Sequence, residues 1–275
     1  MGGHMLYTLW LKLRELLTGT NNLQFQTEAM SASPSYEQFR NLFLERIWYR
    51  DWFGNSLRER WPLLLFLLAF QSLYFPINQV VSGGVHLYIP QIDGNIPRLS
   101  IFVIPYAMGF MLMPIFPLLA AWKFPRQMFQ EYAIAFFSVM VIGFMIWLAM
   151  PAYIVKHSFE PNGFFDQLLY QLHDGDSSYG THNSFPSSHV YYVTVAMVYF
   201  WRKWPKQWIL WATFTVANAA STLFTHQHYF ADVVAGFVLT WFAVWLTRRH
   251  LLPIIRRREV QFGVADLHGT SVRRR

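Results

Sequence analysis

His226-Gln-His-Tyr-Phe-Ala-Asp-Val-Val-Ala-Gly-Phe-Val-Leu-Thr-Trp-Phe-Ala-Val-Trp-Leu246 changes character a third of the way along. It opens with two histidines and an aspartate, then runs to its end without a charge. Tyr229 to Leu246 has the length and apolarity of a helix crossing a bilayer core, which takes roughly 17–25 residues. Histidine and aspartate are costly beside lipid and are kept there chiefly for function. His228 and Asp232 are four positions apart, so a helix places them on one face, one turn apart.

A second polar island, Asn183-Ser-Phe-Pro-Ser-Ser-His189, stands before another apolar run. Six such runs are present: Trp61 to Val81, Leu99 to Ala121, Tyr132 to Met150, Val190 to Trp201, Trp208 to Phe224 and Tyr229 to Leu246. The fourth is short, and reaches spanning length if its helix begins at Pro186, a favoured first helical residue. The chain is 54% hydrophobic and only 13% charged, against about 25% charged for a soluble domain. The expected fold is all-α, a six-transmembrane-helix bundle with N-terminal interfacial helices.

The basic residues supply an orientation. With the N-terminus cytoplasmic, 20 of the 22 Lys and Arg fall on the inner side, and the outer loops hold only Arg98 and Lys156. That asymmetry predicts six spans with both termini inside. It assigns the net charge of +7 to topology and anionic lipid rather than to nucleic acid. There are no cysteines, which excludes disulfides and thiolate chemistry.

Residues 1–60 form a cytoplasmic or interfacial region, 61–249 the membrane domain and 250–275 a basic cytoplasmic tail. Leu6 to Leu17 and Phe39 to Phe53 are amphipathic and read as helices lying in the membrane interface. The first apolar stretch is too interrupted by charge for a cleavable signal peptide. The long outer loop, Pro151 to Phe185, carries Lys156, His157, His173, Asp174, Asp176 and His182. Part of it, Phe164 to Leu172, is expected to be a short helix.

Two spans and a tight inner turn separate His189 from His228, which returns both to one face. Asp232 then holds one imidazole nitrogen of His228 and leaves the other free to attack or accept. A helix starting near Pro186 turns the N–H groups of Ser187, Ser188 and His189 outward as an anion cradle. An anion cradle, the lone outer lysine Lys156 and two histidines suit phosphoryl transfer: one histidine attacks phosphorus and the other protonates the departing oxygen. The scheme needs no metal and no cofactor. A zinc reading of His226, His228, His182 and Asp232 is weaker, because a His-x-His pair at a helix start splays its ligands.

At these residues the chain resembles the type-2 phosphatidic acid phosphatase superfamily of membrane lipid phosphatases and phosphotransferases, over roughly Ile92 to Arg249. Pro186-Ser-Ser-His189 matches the family's P-S-G-H motif with Ser188 in place of glycine. Ser221 through His228 to Asp232 matches the spacing of S-R-x5-H-x3-D, with Thr222 at the arginine. Pro151-Ala-Tyr-Ile-Val-Lys156 is a relaxed form of the remaining motif, with Lys156 replacing its arginine. The resemblance implies His228 as nucleophile, Asp232 as its orienting partner and His189 as general acid. It implies Ser187, Ser188, Lys156 and the Thr222 position as phosphate ligands, and Arg98 is a candidate for a missing cation. The Ser-Thr form of the last motif resembles the inositol phosphorylceramide synthase-like branch. The implied function is hydrolysis of a membrane lipid phosphate or diphosphate by water. The alternatives are transfer of a phosphoryl head group to an alcohol acceptor, or a non-catalytic transporter or lipid-binding scaffold.

Overall fold

The computed structural model describes residues 51–179 and 182–261, and all regular elements among them are helical. The Leu6 to Leu17 segment and most of Phe39 to Phe53 lie outside the described residues. Helix α1, Leu57–Gln71, opens with a capping box in which Ser56 and Glu59 satisfy each other's backbone N–H, as orphan first-turn donors require. It leads into α2, Tyr74–Val80, and then α3, Pro90–Asp93. A 3-10 turn, Ser100–Phe102, precedes α4, Val103–Leu112, and α5, Ile115–Lys123. Next come α6, Arg126–Ala149, and α7, Phe164–Tyr179. The last four are α8, Ser188–Lys203, α9, Trp208–Phe224, α10, Phe230–Leu246, and α11, Leu252–Gln261.

Three stretches among the described residues are helical, long and apolar enough to cross a membrane: Leu57–Val80, Arg126–Ala149 and Phe230–Arg257. A fourth arises if α4 and α5, bent by 55°, count as one span. Pro114 sits at that bend, where a residue without an N–H cannot continue the helical ladder. Helices α8 and α9, with 16 and 17 residues, stand at the lower edge of spanning length. Helix α8 starts at Ser188, two residues after the expected Pro186. The expected loop helix is longer than its sequence suggested, reaching Tyr179. Beyond Leu246 the helix continues through a π turn, Thr247–Leu251, into α11, so the start of the basic tail is helical.

Helix α8 is the centre of the bundle. Tyr191, Val193, Val195, Ala196 and Tyr199 are all fully buried, against Phe129, Tyr132, Phe136 and Met140 of α6. The outward faces stay apolar: Trp241 is 79% exposed and Met111 69%, the reverse of a soluble surface and suited to lipid. At the Arg202 end of α8, Glu131 of α6 accepts from Arg202 at 2.7 Å and from Arg248 at 2.5 Å. Arg60 is buried and donates to the carbonyls of Gly54, Ala121 and Phe124, gathering the orphan acceptors at the end of α5.

At the other end, α10 approaches the first turn of α8 across Gly236. A Cβ there would lie 2.8 Å from Val190 Cβ and 3.0 Å from the Ser187 carbonyl oxygen. Any larger side chain has to push against backbone at the start of α8. Gly236→Val is therefore expected to cost about 1–3 kcal/mol of stability, the usual range for overpacking. The measurement is the thermal unfolding midpoint in detergent, and an unchanged midpoint would contradict this packing.

Candidate active site

Three loop segments assemble the site. Val85, Ala152 and Asn183 form successive parallel bridges, with Val85 N–H donating to Pro151 and Ser184 N–H to Ala152. This pairing lays the Pro151 to Lys156 segment beside the Asn183 to His189 segment. Tyr229, at the start of α10, accepts from Val155 N–H at 3.0 Å and bonds His86 Nε2 at 2.8 Å. Trp147 Nε1 donates to the Pro186 carbonyl at 3.3 Å. The loops are thus fixed to α6 and α10, and Ser187 takes the N-cap position of α8.

The chain reaches His228 through a turn at the end of α9. His226 has φ 54°, the left-handed region usually reserved for glycine or asparagine at a helix end. Gln227 and His228 N–H groups both donate to the Thr222 carbonyl, at 2.9 and 3.0 Å. That reversal carries His228 back over the end of α9. Its Nδ1 then lies 3.3 Å from Asp232 Oδ2, and the same oxygen accepts from Tyr229 N–H at 3.0 Å. Asp232 is fully buried. Its backbone carbonyl accepts from Ser187 N–H at 3.1 Å, so one residue ties the start of α10 to the start of α8.

His189 and His228 face each other with ring centroids 6.0 Å apart. Both line a cavity of about 360 Å³ together with Lys156, Ser188, Asn183 and Gln227. Its remaining wall includes Tyr74, Phe75, Tyr106, Phe110 and Met111. Tyr106 Oη lies 2.9 Å from His189 Nε2 and its ring stacks at 4.2 Å. Asn218 Nδ2 donates to the His189 carbonyl at 3.0 Å. Ser187 Oγ, His189 Nδ1 and Asp232 Oδ1 are buried without a hydrogen-bond partner. Of these, His189 Nδ1 belongs to a residue that lines the cavity, and a polar ligand is one way to satisfy such an atom. His228 also lines a second cavity of about 440 Å³, with His86, Tyr88, Asp93, His157, His226 and Tyr229.

The expected site residues divide into two sets. His228, Asp232, His189, Ser187, Ser188 and Lys156 come together at or beside the first cavity. Arg98 and Thr222 do not. The Arg98 guanidinium stacks 3.8 Å above the Phe159 ring and lines neither cavity. It sits instead near Asp166, whose carboxyl is held below its usual range by the Ser100 hydroxyl and, more weakly, by Arg98. Thr222 is fully buried and its hydroxyl donates to the Ala219 carbonyl at 2.8 Å. What Thr222 contributes is the carbonyl that shapes the turn before His228. His226 lines the second cavity and caps locally, with Nε2 3.1 Å from the Ile96 carbonyl, and burial lowers its imidazole below the usual range. His173 bonds the Thr225 carbonyl at 2.8 Å. Among the described residues no three His, Asp or Glu side chains group as metal ligands.

A family model described as the PAP2 superfamily matches residues 92–246. The chain belongs to the PAP2 superfamily. No curated protein and no solved structure matches it. The matched range contains both histidines, Asp232 and Lys156. PAP2 membership carries phosphatase or phosphotransferase chemistry on phosphate esters, which the apposed histidines suit.

Two residues of this candidate site escaped the sequence reading. Tyr106 lies in the second apolar run and Tyr229 at the mouth of the sixth. The available signal was a phenol within an apolar helix, which needs a hydrogen-bond partner when buried. The division of the cations gives a test. Lys156→Ala is expected to raise KM for an anionic substrate about 10-fold or more, the scale of one lost charge-assisted contact of 1.5–3 kcal/mol. Arg98→Ala should change it far less. Equal effects of the two substitutions on KM would contradict this placement.

Proposed function

We propose that the chain is an integral membrane enzyme that hydrolyses a lipid phosphate or diphosphate through a phosphohistidine at His228. One observation carries the reading: two imidazoles from different segments face each other across one cavity, and one of them is held by a buried carboxylate. With Nδ1 turned to Asp232, Nε2 of His228 is the nitrogen that attacks phosphorus. His189 supplies the proton to the departing oxygen. Lys156, Ser188 and the first-turn N–H groups of α8 take up charge on the equatorial oxygens. Water then resolves the intermediate, and no metal enters the scheme.

The apolar wall of Phe75, Phe110 and Met111, side chains 46%, 49% and 69% exposed, supports a lipid over a soluble phosphate ester. The distribution of Lys and Arg supports six passes, with both termini cytoplasmic and the site near the non-cytoplasmic face. The intact histidine pair and its carboxylate argue against a non-catalytic transporter or scaffold, which has no use for them.

A second reading is favoured by the second cavity beside His228. In-line displacement puts both the departing and the entering alcohol opposite the attacking nitrogen. A phosphomonoester then has nothing to place in the second cavity, whereas a diester has its head group. Transfer of a phosphoryl head group, such as inositol phosphate, to an alcohol acceptor fits that space and the Ser-Thr motif.

A panel of lipid phosphates and phosphodiesters, read for released phosphate and for labelled head group on added alcohol, separates the two. His228→Ala is expected to lose at least about 10³-fold in either reaction while still purifying as a folded protein in detergent, as loss of a nucleophile does. Retained turnover would refute the mechanism. His189→Ala should slow phosphorylation of His228, read in a single turnover, about 10²–10⁴-fold with poor leaving groups, the range for general acid catalysis, and much less with good ones. Uniform losses would remove His189 from the acid role.

A further inference from the structure

The Tyr106 hydroxyl engages His189 Nε2 at 2.9 Å, with the two rings stacked at 25°. Both side chains are buried and both line the cavity that His228 shares. A two-histidine scheme has no part for a phenol, yet this one occupies the nitrogen through which His189 would reach the substrate. The other nitrogen, Nδ1, is buried without a hydrogen-bond partner. The backbone of His189 is held as well, its carbonyl accepting from Asn218 Nδ2.

Buried N–H groups without an acceptor are rarer than acceptors short of a donor. Resting His189 therefore carries its proton on Nε2 and donates it to the Tyr106 oxygen, and the phenol, which also lines the cavity, has a proton of its own to pass on. We propose that Tyr106 is a catalytic residue, and that the proton reaches the departing oxygen through its hydroxyl instead of directly from His189. The proposal rests on the phosphohistidine reading above.

The step balances. His189 begins as imidazolium, its extra proton arriving with the phosphate. The bond from His228 Nε2 to phosphorus forms as the P–O bond breaks, and that electron pair goes to the departing oxygen. The oxygen takes the phenolic proton while the Nε2 proton of His189 moves to the phenol oxygen. Tyr106 ends neutral, His189 ends as neutral imidazole with its proton on Nδ1, and the departing group leaves as its conjugate acid. In the second half-reaction water or an alcohol gives its proton to Tyr106, which passes one to His189 Nε2. That restores the imidazolium as the P–N bond breaks.

Tyr106→Phe keeps the ring that stacks on His189 and removes only the relay. The probes are a short-chain phosphatidic acid, whose departing alkoxide needs a proton, and p-nitrophenyl phosphate, whose departing oxygen does not. Tyr106→Phe is expected to slow phosphorylation of His228, read in a single turnover, about 100-fold with the lipid and less than about 5-fold with the aryl ester, the pattern of a lost general acid. Combining it with His189→Ala should cost no more than His189→Ala alone. Equal losses on the two probes, or losses that multiply in the double variant, would overturn the relay and leave the phosphohistidine reading standing. Failure of the wild type to turn over either probe would overturn both.

Discussion

Asp232 is the residue on which the site depends. Its side chain is fully buried in an apolar bundle, where an uncompensated carboxylate costs several kcal/mol. It is tolerated because it accepts from Tyr229 N–H and engages His228, while its backbone carbonyl takes the Ser187 N–H. The last of these contacts joins the two polar stretches of the chain. Asp232 thus orients His228 through its carboxylate and ties the start of α10 to the start of α8, where His189 sits, through its backbone carbonyl. Gly236, one turn further along α10, keeps that approach open because any Cβ would meet the start of α8.

The proposed chemistry separates two jobs on two imidazoles. His228 has one nitrogen committed to Asp232, which frees the other and fixes its direction. His189 has the Tyr106 hydroxyl at one nitrogen and no partner at the other, the arrangement of a group that hands a proton on. Lys156 and the start of α8 both line the cavity and bring positive potential to it. The loop pairing of Val85, Ala152 and Asn183 matters because it is what brings a lysine from the long loop to the histidines. The ion pairs of Glu131 with Arg202 and Arg248 hold the far ends of the same helices.

Much of this was legible in the chain. Histidine and aspartate at the mouths of apolar runs stand out because lipid penalises them, and a spacing of four residues pairs His228 with Asp232 through helix geometry alone. Charge asymmetry marked the expected ends of the runs. Other features depended on contacts between distant segments, which periodicity does not report. Arg98 looked like a phosphate ligand, but its guanidinium is taken up by Phe159 and sits near Asp166. Thr222 sits at a motif position, yet acts through its carbonyl in the turn that carries His228. Tyr106 read as one more aromatic in an apolar run, because only the fold brings it 83 positions along the chain to His189. The second apolar run is bent at Pro114, and helix α8 falls two residues short of its expected start.

The most direct test of a shared phosphoryl site is the covalent intermediate itself. The full-length protein is mixed in detergent with a radiolabelled lipid phosphate, quenched in alkali and digested, and the labelled peptide is sequenced by mass spectrometry. The account requires an acid-labile, alkali-stable phosphoryl group on His228, absent from His228→Ala and accumulating in His189→Ala when a good leaving group is supplied. Turnover with no label on His228, or label on another residue, would contradict it.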